Sequence, residues 1–188
     1  YAYAASPDFE ILLIAYTLGG GPGQVIDLTD EDGDGWPEYI DGPHTDFWDA
    51  LTDPDVIKTA YNANFERTCF AAALGEEMPA EQWRCTMIMA SSLGLPRSLE
   101  DVGKALGLPQ DQQKNKIGKA LIQYFCKPCK PTRANGGRTR NLPQHAPDKW
   151  QLFKDYNAQD VVAEQAILGR LRKYRPDKAE QDLWTLDQ

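Results

Sequence analysis

Two stretches of this chain carry side chains where α/β proteins place working groups. KTAYNANFERTCF, residues 58 to 70, sets two asparagines, a phenylalanine and then Glu66 where an apolar run gives way to an alanine-rich helix. An acid on the first turn of a helix, delivered by the end of a buried strand, stands on a rigid support at the edge of a cleft. The plainer role for such a glutamate is to complement the helix dipole. KDYNAQDVVAEQAIL, residues 154 to 168, spaces Tyr156 and Asp160 four apart, so on a helix both side chains lie on one face. Taken alone, that spacing also describes an ordinary surface pair.

Other donor groups are weaker as sites. Asp30, Asp32, Asp34 and Gly35 match the start of an EF-hand loop, with Asp41 at the twelfth place. Pro37 stands where that loop needs a strand-like residue, and no helix precedes Asp30, so an acidic surface loop is the better reading. Cys126 and Cys129 form one C-x-x-C that His145 and Cys85 would have to complete as a zinc site; without a second spaced pair they read as two loop thiols. Trp36, Trp48, Trp83, Trp150 and Trp184 are able to stack on bases, but most read as packing residues.

The elements that position these groups alternate as in an α/β fold. Residues 10–18 (EILLIAYTL) and 24–28 (QVIDL) read as two strands of an antiparallel hairpin across GGGPG, with a short helix around 46–51 after them. Residues 56–62 form a third strand, and a helix over 64–74 stops at Gly75. A fourth strand near 83–86 leads into a helix ending about Gly94. Ser98 and Asp101 cap the next helix, which closes at Gly107. A helix around 117–125 precedes a Pro, Gly and Asn punctuated loop. From Pro147, suited to a first helical turn, a long helix runs to about Tyr174, followed by the start of another.

Size and charge bound the rest. A chain of 188 residues, 41% hydrophobic, can bury the core of one compact domain, and no apolar run is long enough to span a membrane. Four scattered cysteines and no visible secretory leader favour a reducing cytoplasm. The net charge of −8 argues against a nucleic-acid partner only on average. Residues 1–57 hold thirteen acids and no Lys or Arg, whereas 112–147 hold Lys114, Lys116, Lys119, Lys127, Lys130, Arg133, Arg138 and Arg140 and no acid. That is a local basic loop or face.

The order strand, N-A-N-F-E, helix, basic loop, Y-x-x-x-D resembles the second and third motifs of the DEDD superfamily of 3′–5′ exonucleases. More closely, PDFEILL, KTAYNANFERTC, WRCTM, GKALIQYF, CKPTRANGGRTRNLP, HAPDKWQLF and LWTLDQ resemble the proofreading-exonuclease region of bacteriophage-type family A DNA polymerases, from about Tyr3 to Gln188. The resemblance implies an RNase H-like mixed sheet flanked by helices, over 1–175, with 176–188 leading toward a polymerase domain of the same polypeptide. It implies two divalent ions, Mg²⁺ or Mn²⁺, and the 3′ end of single-stranded DNA as substrate during replication. Glu66 falls at the second motif's metal-associated acid, more usually aspartate, with Asn62 and Phe65 at its polar and aromatic places. Tyr156 and Asp160 match the tyrosine subtype of the third motif. Two metals ~3.5–4 Å apart would activate water and stabilise the leaving oxygen, and hard cations take carboxylate oxygens from separate elements, here Glu66 and Asp160. Tyr156 would orient the attacking water or a phosphate oxygen. Asn62, Phe65, Arg133, Arg138 and Arg140 are the expected DNA contacts, the arginines through phosphate.

The chain departs from that pattern at its start. The first exonuclease motif, an apolar strand ending in Asp-x-Glu, is expected upstream of YAYAASPDFE, and Asp8-Phe9-Glu10 is no substitute, because its acids precede their apolar run. That strand would lie mid-sheet, between the runs 10–18 and 56–62. The competing reading is a non-catalytic module of the same fold that binds DNA or supports a polymerase.

Overall fold

The computed structural model describes residues 2–29, 42–109, 117–174 and 177–186. Leu13–Tyr16 (β1) and Gln24–Asp27 (β2) pair antiparallel, Leu13 opposite Asp27 and Tyr16 opposite Gln24. Gly19 and Gly20 adopt the left-handed backbone that the connecting turn needs. Lys58–Ala60 (β3) pairs with Trp83–Cys85 (β4) in parallel, Ala60 opposite Cys85. The expected single mixed sheet is, among the described residues, two separate two-stranded sheets. All four strands are shorter than their apolar runs, because with one neighbour each the flanking residues find no ladder to join. Ile14, Tyr16, Ile26 and Leu28 from the hairpin nevertheless share one core cluster with Ala60, Trp83 and Cys85.

Helices cover this core. Thr45–Thr52 (α1) contributes Phe47, Trp48 and Leu51. Ala63–Leu74 (α2) follows β3 and ends at Gly75, whose φ of 69° makes it a left-handed cap. Thr86–Ser92 (α3) continues directly from β4. Leu99–Ala105 (α4) begins where the Ser98 Oγ accepts from the Asp101 N–H at 3.1 Å, the expected cap. Gly118–Phe125 (α5) precedes the loop, and Lys178–Leu186 (α7) brings Trp184 back into the first cluster.

Pro147–Leu171 (α6) organises the rest. Its N-terminal half packs Trp150, Phe153 and Tyr156 against Leu121 and Phe125 of α5, an aromatic stack in which Phe125 and Phe153 lie parallel at 5.7 Å. Its C-terminal half packs Ala163, Ile167 and Leu171 against Met89 and Ala90 of α3 and Leu99 and Val102 of α4. Polar ties fix its position across the hairpin: the Trp150 Nε1–H donates to Asp27 Oδ2 at 2.6 Å, Lys154 pairs with the same oxygen at 3.4 Å, and the Gln165 amide donates to Thr17 Oγ1 at 2.6 Å. Indole and carboxylate are both largely removed from water, so this charge-assisted bond is stronger than a neutral one.

Candidate active site at the ends of two parallel strands

β3 and β4 end side by side, and the residues just beyond them face α6. Tyr61 follows β3, Glu66 lies on the first turn of α2, and Thr86 opens α3. Across from them α6 supplies Glu164, whose Oε1 accepts from Thr86 Oγ1 at 2.9 Å and whose carboxylate also accepts from the Tyr61 main-chain N–H. Glu66 is partly exposed along its stem, but its Oε2 is enclosed and makes no hydrogen bond. Among the described residues, no Lys or Arg forms an ion pair with either carboxylate.

The electrostatics follow from that enclosure. Desolvation pushes Glu66 up to about 8, against which a hydrogen bond from its own backbone works, while the charge of Glu164 adds to the rise. Glu164 is pushed up to about 7, again by desolvation first, with the bonds from Thr86 and Tyr61 holding it lower. Burial likewise raises the neighbouring Cys85 thiol, and it raises the Tyr61 phenol to about 12, with smaller contributions from Cys85, Glu164 and Asp101. This is a low-dielectric cluster of acidic groups in which burial favours the uncharged forms.

Tyr156 and Asp160 lie on α6 two turns and one turn before Glu164, so the three share a side of the helix. Asp160 has an enclosed Oδ1. Tyr156 is 4% exposed, its ring stacked on Phe153 at 6.3 Å and seated on Gly118, where an added Cβ would lie 2.1 Å from the ring. The ring expected to meet substrate is therefore clamped in the aromatic core, which fixes where its hydroxyl stands. Phe65 is 39% exposed beside Glu66, and Asn62 is the residue at the start of α2. No three His, Cys, Asp or Glu side chains among the described residues come close enough to hold a metal together.

The three arginines of the basic loop divide. Arg138 donates to Asn141 Oδ1 at 2.9 Å and to the Asn135 carbonyl at 3.2 Å, and Arg140 is ion-paired with Glu10. Arg133 is exposed and has no side-chain partner among the described residues, as are the flanking Lys127 and Lys130. The loop is built rather than slack: Asn135 accepts from the Thr132 and Gly137 N–H groups and donates to the Lys130 and Arg138 carbonyls. Gly136 and Gly137, both at positive φ, allow that tight path.

The remaining sequence candidates resolve plainly. The Asp30–Asp41 loop and Trp36 lie outside the described residues. Cys126 is exposed, Cys129 donates to the Arg138 carbonyl, Cys85 is buried beside Tyr61, and His145 accepts from the Leu142 N–H. They do not converge. Trp48, Trp83, Trp150 and Trp184 are core residues. Glu10, on the Arg140 ion pair, is likewise occupied away from the strand ends. Sequence reasoning missed Glu164, although the signal was present: it continues the i,i+4 series from Tyr156 and Asp160.

These features define a mixed α/β domain with enclosed carboxylates at the ends of parallel strands. No protein-family model matches the chain, and no solved structure matches it. The chain is 52% identical over all of its 188 residues to a DNA polymerase of Bacillus phage SP02 and spans 27% of that protein's length. It is similar from end to end to a region of a phage DNA polymerase. Among the described residues, no helix is long and apolar enough to cross a membrane.

Proposed function

We propose that this chain is the 3′–5′ exonuclease domain of a DNA polymerase, removing mismatched nucleotides from a single-stranded 3′ end. The observation that carries this reading is the pair of enclosed carboxylates at the strand ends, Glu66 from α2 and Glu164 from α6, with Thr86 of α3 bonded to the second. Carboxylates hidden from water without a cationic side chain are costly to keep charged, and a divalent cation is the usual remedy. The orphaned Glu66 Oε2 and the oxygen-only chemistry of Glu66 and Asp160 fit Mg²⁺ or Mn²⁺, which keep several positions for water and substrate phosphate. When bound, such ions would supply an activated water and a charge sink for the leaving oxygen.

The chain's own residues would do the rest. Glu66 and Asp160 hold the cations, Tyr156 orients a water or phosphate oxygen from its fixed ring, and the exposed face of Phe65 supports a base next to the cleft. Asn62, at the start of α2, contacts the DNA strand beside Phe65, and Arg133 leads the phosphate contacts. Among the described residues, the two sheets share one core without joining. A further strand bearing Asp-x-Glu between β1 and β3 would join them into an RNase H-like sheet and bring the remaining metal ligands.

The test uses the full-length protein and a 5′-labelled single strand. Shortening from the 3′ end with Mg²⁺, stopped by chelator and abolished in Asp160→Ala, is the expected result. Cleavage undiminished in Asp160→Ala overturns the site, and strand binding with no metal-dependent cleavage supports the non-catalytic module instead.

A further inference from the structure

The motif that singles out Asp160 stops there, but the helix does not. Glu164, one turn on, is the α6 carboxylate tied to the ends of β3 and β4, through Thr86 and the Tyr61 N–H, and its charge acts directly on Glu66. Two hydrogen bonds use part of its acceptor capacity, since a carboxylate offers about four lone-pair sites. Glu66, for its part, has an enclosed oxygen with no donor at all. With no cation present, both carboxylates are costly to keep charged so close to one another and so far from water.

Resting on the metal-dependent reading above, we propose that Glu164 is itself a cation ligand, sharing one divalent ion with Glu66. Two carboxylates from different elements, with water or a substrate phosphate in the remaining positions, meet what Mg²⁺ and Mn²⁺ require. Thr86 and Tyr61 then act on the ion indirectly, orienting Glu164 as outer partners commonly do.

Mn²⁺ binding to the full-length protein, read by the electron paramagnetic resonance of free Mn²⁺, separates the possibilities without any cleavage assay. Glu164→Gln retains an acceptor for Thr86 but removes the charge. It should weaken one bound Mn²⁺ at least tenfold, as Glu66→Gln should. Loss of binding in Glu66→Gln and Asp160→Asn with wild-type affinity in Glu164→Gln makes Glu164 a tether only; that overturns this inference and leaves the nuclease reading standing. No Mn²⁺ bound by the wild-type protein overturns both. Should Glu164→Gln fail to fold, the pair Glu164→Leu with Thr86→Val removes the Thr86–Glu164 bond from both sides, leaving the Tyr61 N–H as the one donor that loses its acceptor. Wild-type Mn²⁺ affinity in that folded double variant also overturns the proposal.

Discussion

Gly118→Ala should loosen the structure around Tyr156 out of proportion to one methyl group. A Cβ on Gly118 would lie 2.1 and 2.2 Å from Tyr156 Cε2 and Cζ and 2.6 Å from Cδ2. Carbon atoms in favourable contact stay about 3.5–4.0 Å apart, so the ring must move by more than 1 Å or α5 must back away. The ring has little room: Tyr156 is 4% exposed, lies parallel to Phe153, and Phe153 lies parallel to Phe125. Forcing an extra group into a packed core costs about 1–3 kcal/mol. Against this, alanine gains up to about 1 kcal/mol over glycine in a helix, less at a first turn. The net loss should be about 1–2 kcal/mol. In the full-length protein, amide hydrogen exchange of the peptides covering 118–125 and 150–160 should speed up by roughly tenfold, the equivalent of about 1.4 kcal/mol. Tyr156→Phe should leave that penalty in place, since the ring and not the hydroxyl is in the way, whereas in a Tyr156→Leu background Gly118→Ala should be neutral or slightly stabilising. Unchanged or slower exchange in Gly118→Ala alone would refute the seating of Tyr156 on Gly118.

Two further outcomes follow from the same structure. Glu66 and Glu164 have pKa values above the usual glutamate value of 4.5, so the folded state binds their protons more tightly than the unfolded chain does; the stability this gives is complete below about pH 4.5 and is lost as pH rises through about 7 to 8. The metal-free protein should therefore lose stability across that window, on the order of 5 kcal/mol at most for one such group, and Mg²⁺ should flatten the profile; a flat metal-free profile in thermal unfolding contradicts the enclosure of the pair. In the basic loop, Arg133→Ala should weaken single-strand binding and reduce its salt slope by about 0.7, while Arg138→Ala should disturb the loop through Asn135 and Asn141, a difference that salt-dependent binding titrations and loop hydrogen exchange together resolve.

Local signals in the chain specified its element order. Ser98 with Asp101, Gly75 after an alanine-rich run, and Pro147 ahead of a long periodic stretch each act within one turn of backbone, so their effect is legible without knowing what packs against them. The same holds for Glu66 at a strand-to-helix junction and for the Tyr156 and Asp160 spacing. Tertiary structure decided what those residues meet. Thr86 and Glu164 are 78 residues apart, Asp27 and Trp150 are 123 apart, and nothing in either neighbourhood names the other. Arg138 and Arg140 look in sequence like Arg133, yet one is consumed by Asn141 and Asn135 and the other by Glu10. Glu164 reads as one more acid on a helix until α6 is laid across β3 and β4. Hydrophobic patterning assigns a residue to the inside or the outside, but desolvation and charge pairing depend on the particular neighbour, and that is set only when distant segments close on one another.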